Sequence, residues 1–541
     1  AGGIINRVTK KPTAETLREV QASVGSEGLA RTEWDLGGAL SAGASYRLTG
    51  AYEKGGQFRK LVDNALSTVA GGVEFRLAPA TTLLAQFEWQ HHERTPDRGI
   101  PSLNGKPATV PVASFYGERF DFGTRDVTNG GLTLEHAFSA DTRLKATLRV
   151  NSMELDAVNT RNTGLTAGNT QVVRNTTRFP KERDYVFAQT ELTHKLRLGT
   201  TEHLFLTGYE HGWQRGHLQV WQVAAPNISL NNPSYSAPNP VFTNASKTYD
   251  TRFTGTTDAL YVQDQISFAP HWKAVAGLRY DIFGQHQDAG LANKLQVAAL
   301  ERTDRQWSPR AGLIYQPSAT TSWYVSGARS FQPKSDDLLF TKASETSLAP
   351  TQSTQYEVGN KNEFLDGRLA VNAALYHVAM TNVATADPLN AGQVIQIGEQ
   401  VHRGVEVDAS GELGGGWRLY GGASLIDPRI TRSNDTPVGN RPANVPRQAA
   451  NLWLSKRIAA GWRAGLGAYY VGERFAGADN AVRLPAYTRL DAALSYTIKA
   501  VELALNLRNL TDRVYYESAT SNAQIAPGTP RSVMLTARLG F

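Results

Sequence analysis

The chain has 541 residues, of which 41% are hydrophobic and 19% charged, with a net charge of +7 and 0 cysteines. This composition excludes disordered, collagen-like and disulfide-scaffold chains, and the lack of cysteine excludes thiolate metal sites, iron–sulfur clusters and a catalytic thiol. The cationic excess is small and interspersed, so nucleic acid is not an expected partner.

No window of about 18 consecutive apolar residues occurs, which rules out a helix crossing roughly 30 Å of hydrocarbon. A membrane β-barrel stays open, because its strands need only about ten residues with every second one facing lipid. The sequence opens at Ala1 without Met or an apolar leader, so an export signal is expected to have been removed or to lie outside it.

In chain order, short turns alternate with long Gly/Pro/Asn/Ser-rich segments. APAT (Ala78 to Thr81) precedes a long segment from His92 to Val127, and SADT (Ser139 to Thr142) precedes one from Asn159 to Lys181. A third runs from Gly216 to Thr254, after which APHW (Ala269 to Trp272) is followed by segments Gln285 to Thr303 and Gln332 to Thr351. LDGR (Leu365 to Arg368) and GGGW (Gly414 to Trp417) are further short turns.

Between them the residues alternate with period two. Trp272, Ala274, Ala276, Leu278, Tyr280 and Ile282 oppose Lys273, Val275, Gly277, Arg279 and Asp281. Leu490, Ala492, Leu494, Tyr496 and Ile498 oppose Arg489, Asp491, Ala493, Ser495 and Thr497, and Val501, Leu503, Leu505 and Leu507 oppose Glu502, Ala504, Asn506 and Arg508. Val533, Leu535, Ala537, Leu539 and Phe541 form a last apolar face. A soluble sandwich shares this alternation. Strict alternation of short turns with loops longer than about 15 residues favours an up-and-down outer-membrane barrel. The expected fold is all-β, an antiparallel transmembrane β-barrel of about 22 strands with long extracellular loops and short periplasmic turns. Trp417, Tyr420, Trp462, Tyr469, Tyr470, Tyr515 and Tyr516 fit interfacial girdles, with sandwich core as the other reading.

The motifs resemble those of the TonB-dependent outer-membrane receptors, in particular the ferric-siderophore branch. AGGIINRVTKKP (Ala1 to Pro12) looks like the last strand of that family's N-terminal plug, so residues 1–12 are expected to be a plug remnant and 13–541 the barrel domain. LYVQDQISFAPHWKAVAGLRYD (Leu260 to Asp281), SPRAGLIYQP (Ser308 to Pro317), WYVSGARSFQP (Trp323 to Pro333) and QYEVGNKNEFLDGRLAVNAALYHVAMTNV (Gln355 to Val383) resemble mid-barrel strands. LPAYTRLDAALSY (Leu484 to Tyr496), NLRNLTDRVYYES (Asn506 to Ser518) and PGTPRSVMLTARLGF (Pro527 to Phe541) resemble the closing ones. Pro350-Thr351 stands where the family has Pro-Glu, and nearly all of the plug with its energy-coupling box is absent.

The resemblance implies an outer-membrane receptor that binds ferric siderophores at its extracellular face and imports them with TonB, acting as a monomer in contact with outer-membrane lipid and lipopolysaccharide. Haem, cobalamin or oligosaccharide import and a passive porin are the alternatives. Iron arrives already chelated, so no cofactor and no protein metal ligands are expected. A wide vestibule with aromatic walls and polar anchors is. Phe115, Tyr116 and Phe120, with Phe122, are the candidate ligand contacts in the 98–123 segment, where stapling the loop is the other role open to them. Trp213, Trp221 and Tyr235, with Phe242 and Tyr249, form a second candidate cluster. His91 and His92 are adjacent and point to opposite faces of a strand, so they are not expected to ligate together. Arg279, Arg310, Arg329, Arg489 and Arg538 are expected either to line a positive lumen or to pair with Asp281, Asp491 and similar residues. An enzyme reading finds no G-x-S-x-G, P-loop or H-E-x-x-H element.

Overall fold

Period-two patterning becomes strand wherever one face meets lipid and the other a polar interior. The computed structural model describes residues 8–333, 345, 347–386 and 394–541, so residues 1–7 of the expected plug remnant and most of the 332–351 segment lie outside the described residues. In chain order the wall strands are β1 (Leu17–Gly25), β2 (Ala30–Ser41), β3 (Ala44–Gly56), β4 (Asp63–Ala78), β5 (Thr81–Arg94), β6 (Phe122–Ala137), β7 (Thr142–Leu165), β8 (Lys181–Leu198), β9 (Thr201–Ser229), β10 (Lys247–Ala269) and β11 (Trp272–Gln287). They continue as β12 (Leu300–Ser318), β13 (Thr321–Gln332), β14 (Thr351–Phe364), β15 (Leu369–Ala386), β16 (Val394–Gly414), β17 (Trp417–Arg432), β18 (Gln448–Ala459), β19 (Trp462–Val471), β20 (Tyr487–Ile498), β21 (Val501–Arg508) and β22 (Ser532–Gly540). Each pairs antiparallel with the next, and β1 pairs with β22 from Glu19 opposite Gly540 to Gly25 opposite Met534, which closes the barrel. Closure leaves the wall without a free edge strand, as hydrocarbon requires. No helix of the described residues is long and apolar enough to cross a membrane.

The expected alternation decides which face each side chain takes. On β5, Phe87 and Trp89 are exposed outward while Glu88 is buried inside. On β22, Val533, Leu535 and Leu539 stand exposed on the outer face, the apolar face read from the sequence. Trp417, Tyr420 and Trp462 are likewise exposed near strand ends, as girdle residues should be. Three of the expected girdle residues behave otherwise, Tyr516 packing against the buried core of the extracellular loops. Tyr515 is buried beneath the loops against Tyr487, and Tyr469 lies under the Arg489 guanidinium, 4.6 Å from its ring centre. Tyr469 and Tyr470 are adjacent on a strand, so both cannot face lipid.

One barrel end carries turns of two or four residues, and the other carries the longer connections. The expected long segments are partly strand. β9 runs for 29 residues, nearly three times the roughly ten that cross a bilayer, so the segment from Gly216 is wall as far as Ser229. Within the 159–181 segment, β7 continues to Leu165 and a short strand, Gln171–Arg178, pairs with both β7 and β9. Gly290–Ala292 and Leu295–Val297 form a hairpin that extends β10. Above the membrane both faces of the sheet can be polar, so backbone pairing persists where apolar alternation has stopped.

Residues 8–13 lean on the inner wall at the short-turn end. The Lys10 ammonium meets Asp35, which also receives the Arg47 guanidinium at 2.7 Å, and the Gln86 amide donates to the Thr9 hydroxyl at 2.7 Å.

Candidate functional site

Several of the long connections pack together into a common cap at the extracellular mouth. Ile100 and Ala108 (loop 95–121), Val172, Ile228 and Leu230 (wall extension), Ala476, Val482 and Leu484 (loop 472–486), and Ala519 and Ile525 (loop 509–531) pack with Tyr116 as one buried core. Ile100 and Ile525 exchange backbone hydrogen bonds of 2.8 and 2.9 Å, locking the first loop to the last. That approach requires Gly99, whose φ is +72° and where a Cβ would sit 2.0 Å from the Ile525 carbonyl oxygen.

Phe115 and Tyr116 therefore belong to the cap's interior. Both are buried, and the Tyr116 hydroxyl donates to the Leu230 carbonyl at 2.7 Å. Tyr235 packs against Phe115, with ring centres 6.1 Å apart, and donates to its carbonyl at 3.2 Å. Burial pushes the Tyr116 phenol up to about 12. Below these rings a buried ion pair holds the loop from inside. Arg174 meets Glu118 at 2.8 Å and also donates to the carbonyls of Tyr116, Gly117 and Pro226. Asp121 accepts from the Glu118 backbone N–H and from the N–H and hydroxyl of Thr160. Burial nonetheless raises its carboxyl to about 6.

The structure unites Phe115, Tyr116 and Tyr235 but not the tryptophans. Trp213 and Trp221 share the outward parity of the exposed Tyr209. Arg215 lies 5.8 Å from the Trp213 ring, and Trp221 is flanked by Arg178 at 6.0 Å and the Lys247 ammonium at 4.8 Å. Phe120 is half-buried at the end of its loop, and Phe122 is exposed on the outer face. Phe242 and Tyr249 are half-buried, with the Tyr249 hydroxyl donating to Asn293.

His91 and His92 do point apart. His91 meets Asp126 at 2.7 Å, and His92 meets the Asn64 side-chain carbonyl at 2.6 Å. Among the described residues no group of three His, Cys, Asp or Glu is arranged to hold a metal. Of the five arginines expected in the lumen, Arg279 pairs with Glu210 and Asp281, Arg489 with Asp491, and Arg538 with Glu19. Arg329 donates to Gln352, and Arg310 packs over Gly277. The mutual-pairing reading holds for the three that meet carboxylates.

A different set of cations lines a cavity of about 530 Å³ just beneath the cap. Its wall comes from the inward residues at the tops of β5 to β8, namely His92, Arg94, Arg125, Met153, Leu155 and Lys181, and its roof from Arg59, Asp97, Arg98 and Glu517. Arg59 meets Asp97 at 2.8 Å and Glu517 meets Arg508 at 3.3 Å. Arg94, Arg98 and Arg125 were not singled out in the sequence. Their signal there is inward parity at the extracellular end of two adjoining strands, followed by a third arginine in the first turn of the loop.

A sequence profile described as TonB dependent receptor-like, beta-barrel, matches residues 71–510. The metal-pseudopaline receptor CntO of Pseudomonas aeruginosa is 31% identical over 556 residues, covering 100% of this chain and 77% of its own length. The ferrichrome outer membrane transporter/phage receptor of Escherichia coli K12 is 26% identical over 588 residues, covering 100% of this chain and 76% of its own. Among solved structures, the siderophore receptor PiuA from Acinetobacter baumannii superposes with a TM-score of 0.92 at 23% identity, covering 98% of this chain and 82% of that one.

Proposed function

This chain belongs to the TonB-dependent receptor β-barrel family of the bacterial outer membrane, and from that premise we propose that it imports a metal chelate, foremost a ferric siderophore, by TonB-dependent, energy-coupled transport. The observation that carries the reading is a closed wall of 22 strands whose mouth is capped by interlocked loops above a cavity within the usual ligand range of roughly 300–1,000 Å³. The names of its relatives support the same class: one takes a metal–pseudopaline complex and another ferrichrome.

The metal travels as part of the ligand, so the protein needs to recognise the chelate's surface and supplies no coordination. Phe115, Tyr116 and Tyr235 serve by shaping the cap, while Phe120, half-buried at the end of its loop, is the aromatic left for direct contact. Residues 1–12 are the end of a plug, 13–541 are the barrel, and TonB acts through the plug. A passive porin is disfavoured by the locking of the 95–121 loop to the 509–531 loop at the mouth.

The test is tryptophan quenching of the full-length receptor in detergent by a panel of ferric chelates, with solute-permeation assays of the same protein in liposomes. Saturable quenching by one chelate class, without free permeation of small sugars, is the expected result. Quenching by haem, cobalamin or an oligosaccharide alone would replace the siderophore assignment, and unselective permeation would make the protein a porin.

A further inference from the structure

Below the cavity under the cap, the inner wall changes character on one side of the lumen. Inward positions recur at every second residue of a strand. On β7 the next inward residues below Met153 are Asn151 and Arg149, and on β6 Asn129 and Gly131 stand beside Glu88 and Gln86 of β5. They face a further cavity of about 300 Å³, which Tyr185 and Phe187 of β8 complete. The Asn151 amide donates to the Asn129 side-chain carbonyl at 2.7 Å, and the Tyr185 and Phe187 rings stack with centres 6.0 Å apart. Gly131 leaves room for the Arg149 guanidinium alongside it.

Elsewhere the inward side chains tie strands together, as Arg47 does with Asp35, Arg31 with Glu53 and Arg279 with Glu210. Inward tyrosines there are folded onto glycines and held by carboxylates, Tyr261 on Gly208 with Glu191 and Tyr324 on Gly359 with Glu357. Lipid does not account for the stacked pair of Tyr185 and Phe187, since it touches only the outward face. The strip they belong to is also continuous. Met153 and Leu155 line the cavity under the cap, and the descent from Leu155 to Arg149 is about 20 Å. At its lower end Thr9, Gln86 and Glu88 border both this cavity and a third of about 470 Å³, which reaches Lys10, Asp35 and Arg47. The neutral hydrogen bond from Gln86 to Thr9 lies on that boundary, while Lys10 beside it is held by the Asp35 carboxylate.

We propose that the inward faces of β6, β7 and β8 form the translocation lane of this barrel. A transported chelate descends from the cavity under the cap, over Asn129, Asn151, Tyr185 and Phe187, to the short-turn end. This deepens the transport reading above and rests on it. The amides meet the chelate's oxygens, and the stacked rings meet its organic scaffold. Neutral contacts of this kind hold a ligand weakly at successive points, which movement requires and a single tight site prevents. Parting Gln86 from Thr9 joins the middle and lower cavities, and a neutral bond whose partners turn to water costs little to break.

The experiment follows uptake of radioactive iron by cells of a Gram-negative host that lacks iron receptors of its own and makes the full-length receptor. Iron(III) trihydroxamate, iron(III) tris(catecholate) and iron(III) citrate are the probes, and their binding to the purified protein is measured alongside. Gly131→Trp narrows the lane at a position where an added Cβ meets nothing closer than 3.5 Å. Ser424→Trp puts the same bulk on the inward face of β17, half-way round the wall from β6. Both variants are expected to bind as wild type does. The uptake rate is expected to fall about tenfold or more in Gly131→Trp alone, because the cavity is already at the lower end of the ligand range. Asn151→Cys separates blockage from misfolding: this chain has 0 cysteines, so a bulky methanethiosulfonate should stop uptake and a reductant should restore it. Undiminished uptake in Gly131→Trp, or in Asn151→Cys after confirmed modification, would overturn the lane and leave metal-chelate transport intact. Equal losses in Gly131→Trp and Ser424→Trp would also overturn it, because the wall would then be packing the plug. Uptake of no probe by wild type would overturn it together with the transport reading.

Discussion

Replacing Gly99 with alanine is expected to undock the cap without touching the wall. The left-handed backbone costs an L-residue roughly 1–2 kcal/mol. The new Cβ would lie 2.0 Å from the Ile525 carbonyl oxygen and 2.4 Å from its carbon, so the 95–121 loop must lift off the 509–531 loop. Lifting breaks the two reciprocal Ile100 and Ile525 backbone bonds, at about 1 kcal/mol each. It also re-exposes two isoleucines that are both 0% exposed, and half of their burial is worth about 1 kcal/mol apiece. The least of these contributions sum to about 4 kcal/mol beyond any backbone strain already relieved by lifting, close to a thousandfold in the opening equilibrium. Hydrogen exchange read by mass spectrometry should then show protection collapsing in residues 98–108 and 519–527, with β10 to β12 unchanged. Gly28→Ala is the control: its φ is +69° but nothing lies within 4 Å of the added Cβ, so it should pay the backbone cost alone and leave the cap closed. Equal protection in wild type and Gly99→Ala would refute the claim that this contact holds the cap.

Arg174→Met should loosen the same cap by about 3–5 kcal/mol, because it strands a buried Glu118 and three carbonyls; adding Glu118→Leu should recover part of the loss in the same exchange assay. The Asp121 carboxyl is raised from its ordinary 3.8 to about 6, so the folded cap holds this proton more tightly than the open loop does. Its contribution is complete below about pH 4, is lost as pH rises through 6, and is flat above; proteolysis of the 95–121 loop, normalised to a linear peptide, should slow on acidification, and Asp121→Asn should abolish the slope. Leu466→Arg, on the exposed outer face in the middle of β19, should cost about 2–4 kcal/mol in refolding into lipid, whereas the same change at an inward position of that strand should cost far less.

The barrel was legible because lipid imposes a strict rule. Leu494 and Ile498 face out, Arg489 and Asp491 face in and pair, and no tertiary context competes with that division. The extracellular half was legible only in outline. Gly164, Gly168 and Asn169 read as loop, yet the chain around them is a strand pair, because ladders above the membrane need no apolar face. The loop aromatics were legible as a group but not in their roles. The resemblance put the loop of Phe115 and Tyr116 at the extracellular mouth with two roles open to the rings, ligand contact or stapling the loop; loops of this length must bury something of their own to be ordered, and both rings are buried. The tryptophans of β9 went outward for a reason that was available beforehand: they share parity with Tyr209, and a strand read through to Ser229 would have placed them there.

The distribution of arginines then separates scaffold from function more sharply than the aromatics do. Several arginines of the inner wall are met by carboxylates, as Arg279 is by Glu210 two strands away and Arg31 by Glu53 on the next strand, and removing either partner is a matter of stability. Arg94, Arg98 and Arg125 converge from two strands and a loop onto a space whose carboxylates are spent. On the transport reading, a ligand held at several points beneath the loops leaves only when the site is rearranged at the expense of another source of free energy, which suits energy-coupled import better than passive exchange.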